Sequence, residues 1–304
     1  MSKHTFWAAI AAFALACTSA VRAQSPDAEA AKIQSFIASL HFRDGEIAVP
    51  QAQARFRLGS GFRYLEQADA RRVLEEFWGN PPDDTVLGMV VPSATPLDSE
   101  RSWAVVVTFS DEGYVSDEDA AGTDYAELLQ QMKEAGKEEN DARREAGYGT
   151  VELVGWAVPP RYDAATKKLY WAKELAFEGN DQHTLNYDVR VLGRRGFLSL
   201  NAVANMSELG AVQSGMQQLL PVAEFDAGAR YADYDASSDK VAGYGIAALI
   251  GGGIAAKTGL FAKLGALLLA GKKFIVFIVL GLFAFLGKLF GGRNRDRDSG
   301  GTVR

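Results

Sequence analysis

The stretch LYWAKELAFEGNDQHTLNYDVRVLGRRG, residues 169–196, contains two turn signals between runs of alternating polarity. A turn centred on Asn180 would place Trp171 opposite Val189. A second turn in LGRRGF would lead into a third strand that continues to residue 204. Together the two turns predict a three-stranded antiparallel meander, in which Lys173 is the one misfit on an otherwise apolar face. The predicted apolar face comprises Leu169, Trp171, Leu175, Leu185, Tyr187, Val189, Val191, Leu198, Leu200, Ala202 and Ala204.

The opposite face of this meander is predicted to be polar. One interpretation is a binding or catalytic surface, with Glu174 or Asp188 as acid or base and Arg190 holding an anion. The other is the solvent side of a half-buried sheet, which shows the same alternation. The candidate binding face consists of Tyr170, Glu174, Asn186, Asp188, Arg190 and Asn201, with Ser199 beside them.

Residues 24–238 are predicted to form one α+β domain with a mostly antiparallel sheet and helices packed on one face. Short apolar runs such as GEIAVP, TVLGMVVP and SWAVVVTF indicate strands. DARRVLEEFW indicates a helix that ends at Gly79, and DYAELLQQMKEAG indicates a second helix with a solvated continuation. A third helix is expected from about Ser207 to Pro221.

The first 23 residues have the pattern of a signal peptide. Lys3 precedes an apolar run from Phe6 to Cys17, and Val21-Arg22-Ala23 is typical of a cleavage site. An uncleaved anchor is the alternative, but the apolar run is short for a membrane crossing. The signal peptide predicts that the chain is exported. Cys17 is the one cysteine of the sequence and would be removed with the signal peptide, so the mature chain is predicted to fold without disulfides.

Residues 239–292 are predicted to be an apolar, helical membrane anchor. Phe274–Phe290 is apolar except for Lys288 and is nearly long enough to span a bilayer. Upstream, small residues recur every fourth position from Gly243 to Gly259, a pattern that lets helices pack closely in lipid. The alternative is a buried helical hairpin of the soluble domain. The loop charges fit one transmembrane helix or a helical hairpin equally well. The polar tail, residues 293–304, is expected to be disordered.

Several other chemistries are poorly supported. The net charge of −6 argues against a nucleic-acid partner. GGGIAAKT, residues 251–258, has Ala256 where a phosphate-binding loop needs glycine. No serine lies in a G-x-S-x-G turn.

Metal sites are also poorly supported. Asp117 and Asp119 fit the first positions of a calcium loop, but Leu128 stands where that loop needs its bidentate acid. A solvated loop that caps the next helix at Thr123 or Asp124 explains the same acidic residues. His41 and His183 are too few for a zinc site, and His183 is better explained by packing beside a turn. We expect no cofactor and no metal.

Four blocks of the sequence resemble a bacterial, membrane-anchored family known as domain of unknown function 2167. The blocks are GFRYLEQADARRVLEEFWGNPP, LVGWAVPPRYDAATKKLYWAKELAF, HTLNYDVRVLGRRGFLSLNAVA, and Phe225–Tyr234 with the pattern F-x-x-G-x-RYADY. The resemblance covers nearly the whole mature chain. It implies export and a membrane anchor, and it assigns no activity and no catalytic residues.

These patterns favour a protein of the bacterial inner membrane whose soluble domain faces the periplasm. Its expected partners are the lipid bilayer and another envelope or membrane protein, and its expected role is binding or assembly. The alternative is an envelope enzyme that uses the face around Glu174, Asp188 and Arg190. A carboxylate without a charge partner in a cleft would favour the enzyme, whereas an open sheet face would favour binding.

Overall fold

A computed structural model describes residues 26–251, without residues 81, 100, 146 and 148. Within these ranges the chain is an α+β protein. The strands are β1 (Phe42–Arg43), β2 (Glu46–Val49), β3 (Ala54–Arg57), β4 (Phe62–Glu66), β5 (Val86–Pro92), β6 (Ala104–Ser110), β7 (Tyr114–Ser116), β8 (Val151–Asp163), β9 (Lys168–Phe177), β10 (Thr184–Leu192), β11 (Phe197–Asn205), β12 (Ala223–Phe225) and β13 (Val241–Gly245).

The helices of the described residues fall between these strands. They are α1 (Pro26–Ala38), α2 (Gln67–Arg72), α3 (Tyr125–Glu145), α4 (Leu209–Leu219) and α5 (Ile246–Gly251). A π-helical turn, Val73–Phe77, continues α2, and Gly79 then adopts a left-handed conformation with φ +70°, as the predicted helix stop requires.

The largest sheet has eight strands in the order β1-β4-β5-β6-β11-β10-β9-β8. All of its paired strands are antiparallel. Strands β12, β3 and β2 form a small antiparallel sheet, and β13 pairs with β7 in parallel. The meander predicted from the sequence is therefore the β9-β10-β11 part of the large sheet.

The β10–β11 register is confirmed, with Val191 opposite Leu198 and Val189 opposite Leu200. The β9–β10 register predicted from the sequence is wrong by one residue, because Trp171 lies opposite Asp188. The loop between these strands is not symmetrical about Asn180: a turn closes from Phe177 to Asn180, with Gly179 left-handed at φ +79°. A slip of one residue moves every side chain of β9 to the other side of the sheet.

The sheet therefore has a first face, carrying Ala172, Tyr187 and Leu200, and a second face, carrying Trp171 and Asp188. The first face packs against the small sheet and α4 in the largest apolar cluster. The second face packs against α1 and α2 at one side and against α3 and α5 at the other. The prediction of helices on one face is thus wrong, because each face has an apolar part that a helix covers.

The edge strand β8 is protected against pairing with another chain. The Asn140 side chain of α3 donates to the Val151 carbonyl and accepts from the Val151 N–H, both at 2.8 Å. Three register shifts and the residues Pro159 and Pro160 interrupt the rest of the strand. Bulges, prolines and a covering helix are the usual means by which a sheet edge avoids aggregation.

The folded domain extends past the predicted boundary at residue 238. Strand β13 pairs with β7, and α5 buries Ile246 and Ile250 in the same apolar cluster as Trp171. Within the described ranges, no helix combines the length and apolar composition of a membrane crossing. The predicted signal peptide (1–23), the glycine-rich sequence after Gly251, the run Phe274–Phe290 and the tail 293–304 lie outside the described residues.

Candidate functional site

The middle of the second face carries a strip of polar side chains, which we call the central polar band. It lies on β9, β10, β11 and β6, between the region that α1 and α2 cover and the region that α3 and α5 cover. Its members are Lys173, Asn186, Asp188, Arg190, Ser199, Asn201 and Thr108. Four of the six predicted candidate residues, Asn186, Asp188, Arg190 and Asn201, are therefore brought together.

Asp188 is the most deeply buried member, with 3% of its surface exposed. Its Oδ1 accepts a hydrogen bond of 2.9 Å from Asn201 Nδ2 and lies 3.1 Å from Arg190 Nη2. Its Oδ2 lies 3.7 Å from Lys173 Nζ. Both oxygens of this buried carboxylate therefore face side chains of the band rather than open solvent.

Arg190 is held from several directions. Its guanidinium lies 5.1 Å from the centre of the Trp171 ring and 5.6 Å from that of Phe197, both within the range of a cation–π contact. Its Nη1 also donates to the Val189 carbonyl at 3.1 Å. These contacts fix the position of Arg190 within the sheet. Its guanidinium pairs with Asp188 and is largely shielded from solvent.

Other members of the band keep donors that no described residue uses. Lys173 makes an ion pair with Asp188 that is too long for a hydrogen bond, and 23% of its side chain is exposed. Ser199 and Thr108 are cross-strand partners, and neither hydroxyl is hydrogen-bonded within the part of the chain that the structure describes. The Asn186 amide reaches Asn201 only at 3.5 Å. The band can therefore accept further hydrogen-bonding groups.

Tyr170 and Glu174 do not belong to this band, so their predicted place on the polar face is wrong. The corrected register puts both on the first face, where Tyr170 packs against the main apolar cluster. Glu174 Oε1 lies 2.5 Å from His183 Nδ1, beside the β9–β10 turn. The triad Glu174, Asp188 and Arg190 proposed for an enzyme therefore does not converge on one site.

His41 and His183, the histidines of the described residues, lie far apart in the fold. His41 Nδ1 lies 3.0 Å from Asp69 Oδ2, whereas His183 contacts Glu174 in another part of the fold. Among the described residues, no three side chains of the types His, Cys, Asp and Glu are grouped so that they could hold a metal ion.

The acidic loop after β7 has a role that the sequence did not predict. Asp119 caps α5, because its Oδ1 accepts from the Ile246 N–H at 2.9 Å and its Oδ2 from the Ala247 N–H at 3.1 Å. Asp124 caps α3 in the same way, as one of the two predicted alternatives stated. These acids are committed to helix termini rather than to a calcium ion.

Asp117 fixes the same loop to the body of the domain. Its carboxylate accepts from Lys167 Nζ and the Tyr162 hydroxyl at 2.6 Å and from the Tyr231 hydroxyl at 3.0 Å. Burial alone would raise the pKa of Asp117, but these hydrogen bonds outweigh it and hold the pKa below its usual value. We call Asp117, Asp119, β13 and α5 together the C-terminal joint.

The sequence contained a weak signal for the central polar band but none for the C-terminal joint. Lys173 was a misfit on the predicted apolar face, and it fits the polar band once the register shifts by one residue. For the C-terminal joint, Asp119 is distant from Ile246 in sequence, and no local pattern links the two. Gly245 is explained only by the structure, since a Cβ there would lie 2.6 Å from the Asp119 carboxylate oxygens.

Comparison with known proteins identifies a family and several distantly similar structures. The sequence model of the family described as "Protein of unknown function (DUF2167)" matches residues 41–283. No curated protein matches the chain. The solution structure of cyanobacterial PsbP (CyanoP) from Synechocystis is similar at a TM-score of 0.34 and 12% identity, covering 62% of this chain and 94% of that one. The Saccharomyces cerevisiae Ran-binding protein Mog1p is similar at a TM-score of 0.34 and 11% identity, covering 62% and 96%.

Proposed function

Because the chain belongs to the DUF2167 family, whose description assigns no function, we propose a function from its own residues. The protein is a binding domain held at the bacterial inner membrane by the apolar segment after α5. The domain faces the periplasm, where the signal-peptide pattern of residues 1–23 would deliver it. Its partners are the bilayer and another envelope or membrane protein.

The C-terminal joint is the observation that carries this proposal. The last described helix is capped by Asp119 and buries two isoleucines in the domain core. The sequence then continues into residues 252–292, which are mostly apolar and contain five lysines. The predicted anchoring segment thus follows a helix that is fixed to the domain core, and this would keep the start of the segment close to the domain.

Binding is favoured over catalysis by the charge pairing of the central polar band. Asp188 has two cationic partners, and Glu174 lies on the other face with His183. Neither carboxylate is an isolated acid in an apolar cleft, which is the arrangement that tunes a carboxyl group for proton transfer.

Alkaline carbonate extraction of membranes from cells that express the full chain tests the anchor. We expect the wild-type chain to stay in the pellet and the double variant Ile278→Lys, Leu282→Lys to be extracted, because each lysine at the centre of a span costs about 3 kcal/mol. The control Asn294→Lys, Ser299→Lys adds the same charge to the polar tail and should remain in the pellet. Extraction of the wild-type chain would refute the anchor.

A further inference from the structure

The central polar band holds a cation whose donors are not used. Lys173 Nζ is kept near the band by the charge of Asp188, but the distance of 3.7 Å leaves its N–H groups without a hydrogen bond among the described residues. The oxygens of Asp188 are not equally engaged, since Oδ1 accepts a hydrogen bond from Asn201 and lies 3.1 Å from Arg190 Nη2. Two cations face one carboxylate, so this part of the band carries an excess positive charge.

The neighbours of Lys173 suit an anionic group. Asn186 is its cross-strand partner on β10, and the amide of Asn186 is only weakly engaged, at 3.5 Å from Asn201. An ammonium group and an amide N–H side by side are typical donors for a carboxylate or phosphate oxygen. The side chain of Lys173 is 23% exposed, which lets a ligand reach it from solvent.

We propose that the central polar band binds an oxyanion, the carboxylate or phosphate of a ligand, through Lys173 and Asn186. This inference rests on the proposed binding role of the domain and names the chemistry of the ligand. Asp188, Asn201 and Arg190 act as positioning residues, because their mutual hydrogen bonds and ion pairs hold Lys173 at the open side of the band.

Isothermal titration calorimetry of the full chain in detergent micelles tests this proposal, with inorganic phosphate and succinate as separate ligands at constant ionic strength. We expect saturable binding of at least one anion, and the preferred one shows whether the natural group is a phosphate or a carboxylate. Lys173→Met should weaken binding by about tenfold or more, the usual effect of losing a charge-assisted hydrogen bond. Lys173→Arg should keep most of the affinity.

The matched control is Lys137→Met on α3, where an exposed lysine pairs with Glu134 and should have no influence on binding. Asn186→Ala provides a second variant if Lys173→Met does not fold, and it should also weaken binding. Unsaturable titrations with both anions, or equal affinity of wild type and Lys173→Met, would overturn the proposal. Because carbonate extraction of the same variants reports membrane attachment separately, a chain that stays in the membrane without binding either anion would contradict this inference alone.

Discussion

Replacing Asp119 by alanine should loosen the C-terminal joint while leaving the sheet intact. The substitution removes two capping hydrogen bonds of 2.9 and 3.1 Å from the first turn of α5. Loss of a helix N-cap costs about 1 kcal/mol, within a range of about 0.5–2 kcal/mol. Ile246 and Ile250 are 0% and 2% exposed, and their burial is worth about 1.5–3 kcal/mol each. The cap alone is therefore too weak to decide docking, and α5 should stay docked but open more often.

Amide hydrogen exchange is the appropriate measurement, because it reports local opening. A loss of about 1 kcal/mol raises the opening equilibrium constant of β13 and α5 by about fivefold. Amides of residues 241–251 should exchange faster by that factor, whereas amides of β10 and β11 should not change. Gly245→Ala should reproduce the effect, since its new Cβ would displace the Asp119 carboxylate.

Asp83→Ala is the matched control, because Asp83 also accepts a backbone hydrogen bond, from Thr85, in a loop remote from the joint. It should leave exchange in residues 241–251 unchanged. Unaltered exchange there in Asp119→Ala would show that the cap does not hold α5. A large fall in global stability would instead show that the joint cannot open separately from the sheet.

Three further changes test the fold. Trp171→Ala should lower the free energy of unfolding by about 3–5 kcal/mol, as measured in denaturant melts. Trp171→Phe should lower it much less, because this change keeps a ring and removes a buried N–H that has no partner in the described residues. Equal losses of stability in the two variants would contradict this packing. Asn140→Ala should lower the free energy of unfolding by about 1–3 kcal/mol and promote aggregation, because it leaves the N–H and carbonyl of Val151 without their side-chain partner. Glu139→Ala is the exposed-site control. Equal light scattering from the two variants would count against a protective role of Asn140. The folded state lowers the pKa of Asp117, so its ionised form stabilises the fold above about pH 4 and this contribution is lost as the pH falls through the folded-state pKa. Asp117→Asn should thus be less stable than wild type at neutral pH and approach it in acid; a constant difference in melts across this range would refute the linkage.

The two hairpins show what limits a prediction of register from sequence. The LGRRGF turn is short, with Gly193 donating to the Gly196 carbonyl, so its register follows from the turn itself. The EGNDQH loop can close in more than one way, and its register is set by local bonds such as Gln182 N–H to Asn180 Oδ1. One residue of difference placed Trp171 and Lys173 on the wrong face.

The pairing of the residues after 238 with the domain could not be predicted from the sequence for a different reason. The sequence VAGYGIAALIG has small residues at a spacing typical of membrane helices, and the same residues serve a parallel strand and a short capped helix. Parallel pairing of β13 with β7 joins distant segments, and Asp119 reaches α5 across more than a hundred residues. Local patterns cannot predict such contacts, whereas they did predict α2, α3, α4 and the strands β2, β5, β6, β9, β10 and β11.

The central claim is an exported domain held at the inner membrane, and cysteine labelling in spheroplasts tests it most directly. Cys17, the one cysteine of the sequence, lies within the predicted signal peptide, so a single cysteine placed at Glu134, whose side chain is 69% exposed on α3, can be followed alone. The unsubstituted chain gives the background. We expect Glu134→Cys to react with a membrane-impermeant maleimide in intact spheroplasts and to fractionate with the membrane. Labelling only after lysis would place the domain in the cytoplasm and contradict the account.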